Sequence, residues 1–332
     1  MGVSKLKKIL ANLLSFSDMA RVFGNQDCFI LMYHRILPYD YDSQMPLQPG
    51  MWVAEPSFRM HLQYLSSNFK IIPLDKMVQK IIDNENLSSC CAITFDDGWR
   101  DNYQYAFPLL KKKRIPATIF LTTNYISTDK WFWPEEVAWC LSMITSERYD
   151  VRMLPPELGE LILQNDNISC KGTELVDKII EDIKLLPHVL RETICYACSE
   201  LRRNKQKASK RLMLNWEEIK EMKQSGLITF GTHTASHCLL DQVPVDQIRH
   251  ELTDSLAVIE KEVESNNFFA YPNGSFNEKV LTEIKNAGIK AAVTTHRGKV
   301  TRHTNILTLP RVALHEDISN TLPLLQWRLL VQ

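Results

Sequence analysis

Two short stretches carry the residue types that chemistry needs. The first is Cys91-Ala92-Ile93-Thr94-Phe95-Asp96-Asp97-Gly98-Trp99, an apolar run that stops at two carboxylates and a glycine. A buried strand reads this way when it delivers acids to the mouth of a parallel sheet or barrel. Adjacent aspartates repel, and a metal or a cationic partner relieves the repulsion. The second is Gly231-Thr232-His233-Thr234-Ala235-Ser236-His237, which follows the apolar run at 227–230. One carboxylate and two imidazoles leave a coordination position open for water, the composition of a catalytic rather than a structural zinc site. The remaining carboxylate is then available as a base. Taken singly, an Asp-Asp-Gly is commonly a plain turn and an H-x3-H a chance pairing. Their joint placement at the ends of two apolar runs is what points to a site.

The two motifs together resemble those of the NodB-type polysaccharide deacetylases, carbohydrate esterase family 4. That family's T-F-D-D-G is present as Thr94 to Gly98, and its H-[ST]-x-x-H as His233 to His237. The resemblance covers roughly residues 29–317 around a divergent middle. It implies an α/β fold, a distorted (β/α)7-type barrel, and metal-dependent hydrolysis of N-acetyl groups on amino sugars in cell-surface glycan biosynthesis or modification. Asp97, His233 and His237 would hold a divalent metal. Zinc is expected, and nickel, cobalt or iron would also suit a mixed N/O site. Asp96 would be the base. A subset of the family opens with a Tyr-His element that Tyr33-His34 resembles, which makes His34 a candidate general acid. His315 resembles the histidine that closes the family's fifth motif and is the rival for that role. Residues 268–274 resemble the third motif, usually R-x-P-Y-G, with Ala270 at the arginine position and Asn273 at the tyrosine position. A main-chain N–H at Asn273 can still serve an oxyanion, whereas alanine cannot replace an arginine. Arg311 is the candidate substitute beside Asp96. The fourth motif, with its Asp and Trp, has no match at 291–295.

The elements that must position these residues alternate in type. Residues 28–35 read as a buried strand, 38–56 as a loop, and 57–68 as a helix with Ser57 as its cap. A strand at 69–72, a helix at 74–84, a helix at 103–113 and a strand at 117–121 follow. Lys111-Lys112-Lys113-Arg114 complements the dipole at the end of that second helix. This alternation predicts a parallel α/β sheet or barrel. Residues 127–213 break it and predict a mostly helical insertion over one end of the barrel. Trp131 and Trp133, near its start, are candidate sugar contacts, with ordinary packing as the competing reading. Asn215 caps a helix that Gly226 ends and that feeds the His233 strand. Helices are expected at 244–263 and 278–287, a strand at 291–295, the last barrel element at 309–315, and a tail at 321–332. The barrel domain itself is expected over 28–320.

Composition narrows the partners. Lysine plus arginine equals aspartate plus glutamate at 39 each in 332 residues. That balance argues against a nucleic-acid binder, and a neutral sugar polymer demands no charge bias. Eight cysteines lack framework spacing, and Cys195-x-x-Cys198 has no second pair. Buried thiols in a reducing compartment are therefore expected. The first 27 residues hold Lys5, Lys7 and Lys8 and then a short apolar run interrupted by Asn12, without a clean cleavage site. They predict an amphipathic helix that packs on the body or touches a membrane surface. No run is long enough to span a bilayer. A cytoplasmic enzyme, with membrane association and an exported form left open, is the expectation. Its partner would be an acetylated amino-sugar glycan or a lipid-linked oligosaccharide. Hydrolysis of formyl or O-acetyl groups by the same site, and a non-catalytic sugar-binding relative, are the alternatives.

Overall fold

Alternating side chains decide which way each strand faces. In the computed structural model, which describes residues 27–38, 50–147, 156–165, 173–205 and 211–330, the chain begins with β1 (Phe29–Tyr33), β2 (Arg35–Leu37) and β3 (Trp52–Ala54). Next come α1 (Glu55–Asn68), β4 (Lys70–Ile71), α2 (Leu74–Ile82) and β5 (Cys90–Phe95). After a π-helical turn come α3 (Phe107–Lys113) and β6 (Ala117–Leu121). The insertion consists of α4 (Trp133–Glu147), α5 (Pro156–Asn165), α6 (Thr173–Leu185) and α7 (His188–Lys205). The barrel resumes with α8 (Trp216–Gln224), β7 (Ile228–Thr232), α9 (Val245–Val263) and β8 (Phe268–Ala270). It ends with α10 (Glu278–Asn286), β9 (Ala291–Val293), β10 (Val312–Ala313), α11 (Glu316–Ser319) and α12 (Leu322–Leu330). The N-terminal helix expected over 1–27 lies outside the described residues, save residue 27.

The main sheet runs β10-β1-β5-β6-β7-β8-β9, with β4 added at the start of β5. Each of these pairings is parallel. Leu309 bridges to Val293 of β9, and β10 pairs with β1 through Leu31 and Val312. The 309–313 segment thus bridges the two ends of the curled sheet, giving the (β/α) barrel that the resemblance implies, with β4 as an eighth strand. Phe29, Leu31, Tyr33, Cys91, Ile93, Phe95 and Phe230 pack outward against the helices. Ile30, Ala92, Phe120, Phe268 and Ala270 pack together on the opposite faces. Two-residue periodicity then carries Thr94 and Asp96 to the same interior side as Ala92. Gly231 is required where β7 passes β8, because a Cβ there would stand 2.6 Å from the Phe268 carbonyl oxygen.

Local chemistry shifts several boundaries. Pro56 occupies the first turn of α1, where its missing N–H costs nothing. The helix therefore starts upstream of Ser57, whose hydroxyl donates to Glu316 at 3.0 Å instead of capping. Asn215 and Glu218 form a reciprocal capping box on α8. The segment expected as a tail is α12, and Leu325 and Leu329 bury it in the main core. The insertion has its own core, including Trp131, Phe132, Val137, Ile180, Ile194 and Met213, into which Trp99 of the barrel projects. Glu136 of α4 and Arg202 of α7 pair inside it through two hydrogen bonds of 2.7 and 3.0 Å. Cys195 and Cys198 lie on α7 as free thiols. Among the described residues no helix is long and apolar enough to cross a membrane.

Candidate active site

The parallel strands of the barrel end at one mouth, and the two motifs leave from those ends. Asp96 and Asp97 follow β5, and His233 follows β7 two strands away. The backbone of Asp97 turns with φ 76° and that of Gly98 with φ 88°, so Asp97 leaves the strand's alternation. Thr234 and His237 also have positive φ, at 64° and 61°. Such conformations are uncommon outside glycine and cluster at functional sites.

Asp97, His233 and His237 offer ligand atoms that all lie within 4.8 Å of one another. Asp97 Oδ1 is 3.4 Å from His233 Nε2 and 3.7 Å from His237 Nε2. It is buried and makes no hydrogen bond. Ligands about 2.0–2.2 Å from a tetrahedral ion stand roughly 3.3–3.6 Å apart, so the donor set fits a divalent metal. Supporting contacts fix the ligands. His233 Nδ1 is 2.7 Å from the Ala270 carbonyl oxygen, which makes Nδ1 the donor and leaves the Nε2 lone pair for an ion. Asp97 Oδ2 accepts a hydrogen bond from Trp99 Nε1 at 2.8 Å. The ring of His237 stands perpendicular to Phe132 at 4.7 Å.

Asp96 is held differently. Arg311 Nη1 and Nη2 donate to its two oxygens at 2.8 and 2.6 Å. Arg311 also donates to the Thr294 carbonyl and the Thr94 hydroxyl, and it is fully buried. Burial pushes Asp96 up, but the Arg311 guanidinium, with His233 and His34, outweighs it and holds the carboxyl below its usual range. Burial likewise pushes Asp97 up, and His233, His34 and His237 together pull it down. Burial is the larger influence on His34 and lowers it, against the raising effect of Asp97 and Asp96. His237 is pushed down to about 3 by burial and then by His233, which leaves it neutral and able to ligate.

A cavity of about 350 Å³ opens over these groups. His34, Asn273 and His315 line it together with Asp96, Asp97, His233 and His237. Asn273 sits in a turn with φ 55°, and its carbonyl accepts a hydrogen bond from the Thr295 hydroxyl at 3.0 Å. His315 Nδ1 is 3.2 Å from Asp317 Oδ2. Trp133 also lines this cavity, whereas Trp131 does not. Trp131 is 4% exposed, and the Arg202 guanidinium covers its ring at 4.5 Å. Trp131 lines a neighbouring cavity instead, which Trp133 also lines. Sequence reasoning missed Glu181 and Lys184 of α6, which line the cavity from the insertion. It also missed Trp99 as a donor to Asp97, although its indole stands two residues from that carboxylate in the same motif.

A parallel barrel whose mouth gathers these groups defines a carbohydrate deacetylase, a hydrolase. A model of the family Polysaccharide deacetylase matches residues 83–160 and 188–292, and the chain belongs to that family. The unmatched stretch between them lies in the insertion. YxkH of Bacillus subtilis (strain 168), a polysaccharide deacetylase by name, is 23% identical over 295 residues, 88% of this chain and 73% of that protein. A poly-beta-1,6-N-acetyl-D-glucosamine N-deacetylase of Staphylococcus aureus (strain N315) is 32% identical over 114 residues, 32% of this chain and 39% of that protein. Among solved structures, the deacetylase PplD of Streptococcus pyogenes in complex with acetate superposes with a TM-score of 0.57 at 20% identity. It covers 89% of this chain and 95% of its own. IcaB from Ammonifex degensii superposes with a TM-score of 0.58 at 18% identity, covering 92% and 98% respectively. At these identities the two structures speak to the shared fold.

Proposed function

We propose that this chain removes N-acetyl groups from the amino sugars of a glycan by metal-assisted hydrolysis. The observation that carries the reading is Asp97 Oδ1, buried and unbonded, facing the Nε2 atoms of His233 and His237. A divalent ion bound there, with zinc preferred and nickel, cobalt or iron also suited, supplies Lewis acidity toward the amide carbonyl and the attacking water. Asp96 is the base. Arg311 keeps it ionised and fixes its plane, and each carboxylate oxygen retains a lone pair for the water's proton. The main-chain N–H of Asn273 is the proposed donor to the developing oxyanion. His34 is assigned as the acid that protonates the leaving amine, because it lines the cavity together with Asp96, Asp97 and His233. His315 is the rival, its ring oriented by Asp317. The similarity to the Staphylococcus aureus enzyme supports an N-acetylated amino sugar as substrate.

Acetate release from an N-acetylglucosamine oligomer tests the reading. Zinc-loaded protein should turn over, and chelation should stop it. Asp96→Asn should lower kcat by about 10²–10⁴-fold while bound metal is retained. Full turnover after chelation, or in D96N, would overturn the mechanism. His34→Ala should lose a comparable factor and His315→Ala much less; the opposite ranking gives the acid role to His315.

A further inference from the structure

A second cavity, of about 340 Å³, lies between α7 of the insertion and the barrel rim. Its size falls within the roughly 300–1,000 Å³ range of small-molecule sites. His237 and Trp133 line both this cavity and the one over Asp96 and Asp97. The two spaces are therefore neighbours across one imidazole and one indole.

Arg191 determines what the second cavity can take. Its side chain lines the space, is only 6% exposed, and its Nη1 is buried without a hydrogen-bond partner. A buried guanidinium left unsatisfied is costly, and an anion satisfies it with short, charge-assisted hydrogen bonds. The acids of the cavity do not fill that role. Glu136 is committed to Arg202 by two hydrogen bonds, and Glu192 makes no hydrogen bond to that Nη1. Lys130 adds a further cation at the rim. Tyr125, Trp131, Trp133 and Tyr196 supply aromatic wall beside serines and cysteines, and Arg203, a further cation there, is paired with Glu200. Tyr196 is 68% exposed on α7, so its ring is accessible from solvent. Aromatic faces beside a guanidinium whose Nη1 is buried and unbonded match a sugar ring that carries an anionic substituent.

We propose that this cavity is a subsite for an anionic sugar unit of the substrate, one bearing a carboxylate or a phosphate. It would adjoin the amino sugar that loses its acetyl group, and in that respect the inference rests on the deacetylase reading. The glycan would then be acidic, with the charged unit held on the far side of His237 and Trp133 from the reacting amide.

Tryptophan fluorescence of the full chain, stripped of metal, tests this without using the reaction. Glucose, glucuronate, glucose 1-phosphate and inorganic phosphate are titrated in parallel. At least one acidic sugar should bind about tenfold or more tightly than both glucose and inorganic phosphate. Whichever of the two is stronger identifies the substituent. Arg191→Gln should abolish the preference with an unchanged circular dichroism spectrum, and Arg191→Lys should retain part of it. If R191Q loses its fold, the Lys variant alone decides, since a partial preference requires the charge. Equal binding of glucose, no response to any acidic sugar, inorganic phosphate binding as tightly as the sugar phosphate, or an unchanged preference in R191Q would each overturn the proposal. Loss of acetate release alongside intact acidic-sugar binding would instead count against the deacetylase reading and leave the subsite standing.

Discussion

At the scale of single residues, the two oxygens of Asp97 have separate tasks. Oδ2 accepts the indole N–H of Trp99, and Oδ1 is left without a hydrogen bond to face the histidines. The Trp99 contact therefore sets the rotation of a proposed metal ligand. Trp99→Phe keeps an aromatic ring in the insertion core and removes the N–H together with part of the indole. It should weaken zinc affinity by about 10–100-fold, as read by competition with a chromophoric chelator, with activity largely restored at saturating zinc. The sequence displays Asp96, Asp97, His233 and His237 openly, because each follows an apolar strand and parallel strands end together. Arg311 was also legible as a cation owed to Asp96. The Ala270 carbonyl on His233 was not, because a main-chain oxygen has no residue type to read. The side-chain direction of Trp99 depends on the positive-φ turn at 97 and 98 and is equally invisible in the letters.

At the scale of elements, α4 to α7 form a second packing unit tied together by Glu136 and Arg202. Both side chains are buried, so removing one leaves the other charged and unpaired. Arg202→Met should cost about 3–5 kcal/mol of stability, measured by urea unfolding, whereas the exposed pair Arg203–Glu200 should matter by less than about 1 kcal/mol. The break in strand–helix alternation at 127–213 marks the insertion in the sequence, and the apolar spacing marks its helices. The partner of each helix is not marked, because helices of similar amphipathicity can pack in several orders. The Trp-Phe-Trp run carries the same ambiguity: Trp133 lines the cavity over Asp96 and Trp131 lines only its neighbour, and the Arg202 contact on the Trp131 ring comes from α7, 71 residues later.

At the scale of the whole molecule, the barrel and the insertion meet through charges. Arg35 of β2 donates to Asp101 at 2.9 Å and stands 3.7 Å from Glu135 of α4. It also lies 4.4 Å over the Trp99 ring. Burial pushes Glu135 from 4.5 up to about 8, against the lowering effect of Arg35. Between those two values the folded chain holds a proton that the unfolded chain has released. Stability from this group is thus highest below pH 4.5 and falls as pH rises, by about 1.4 kcal/mol per pH unit, until the folded group ionises. Glu135→Gln removes that dependence. Its gain over the native chain should grow from pH 4.5 to about 8 and then level off, as read from urea midpoints of metal-free protein across the series. The overall architecture was readable because a parallel barrel needs only alternation. The junction was not, because it couples residue 35 to residue 135 through a fold that must exist first.

The position of Arg311 carries a last consequence. It lies on the segment that joins the final strand to the first, so the guanidinium reaches Asp96 only after ring closure. A chain cut back to β9 would keep Asp97, His233 and His237, the proposed metal ligands, but would lose the guanidinium that grips both oxygens of Asp96. The proposed base is therefore completed by the same closing segment that completes the sheet.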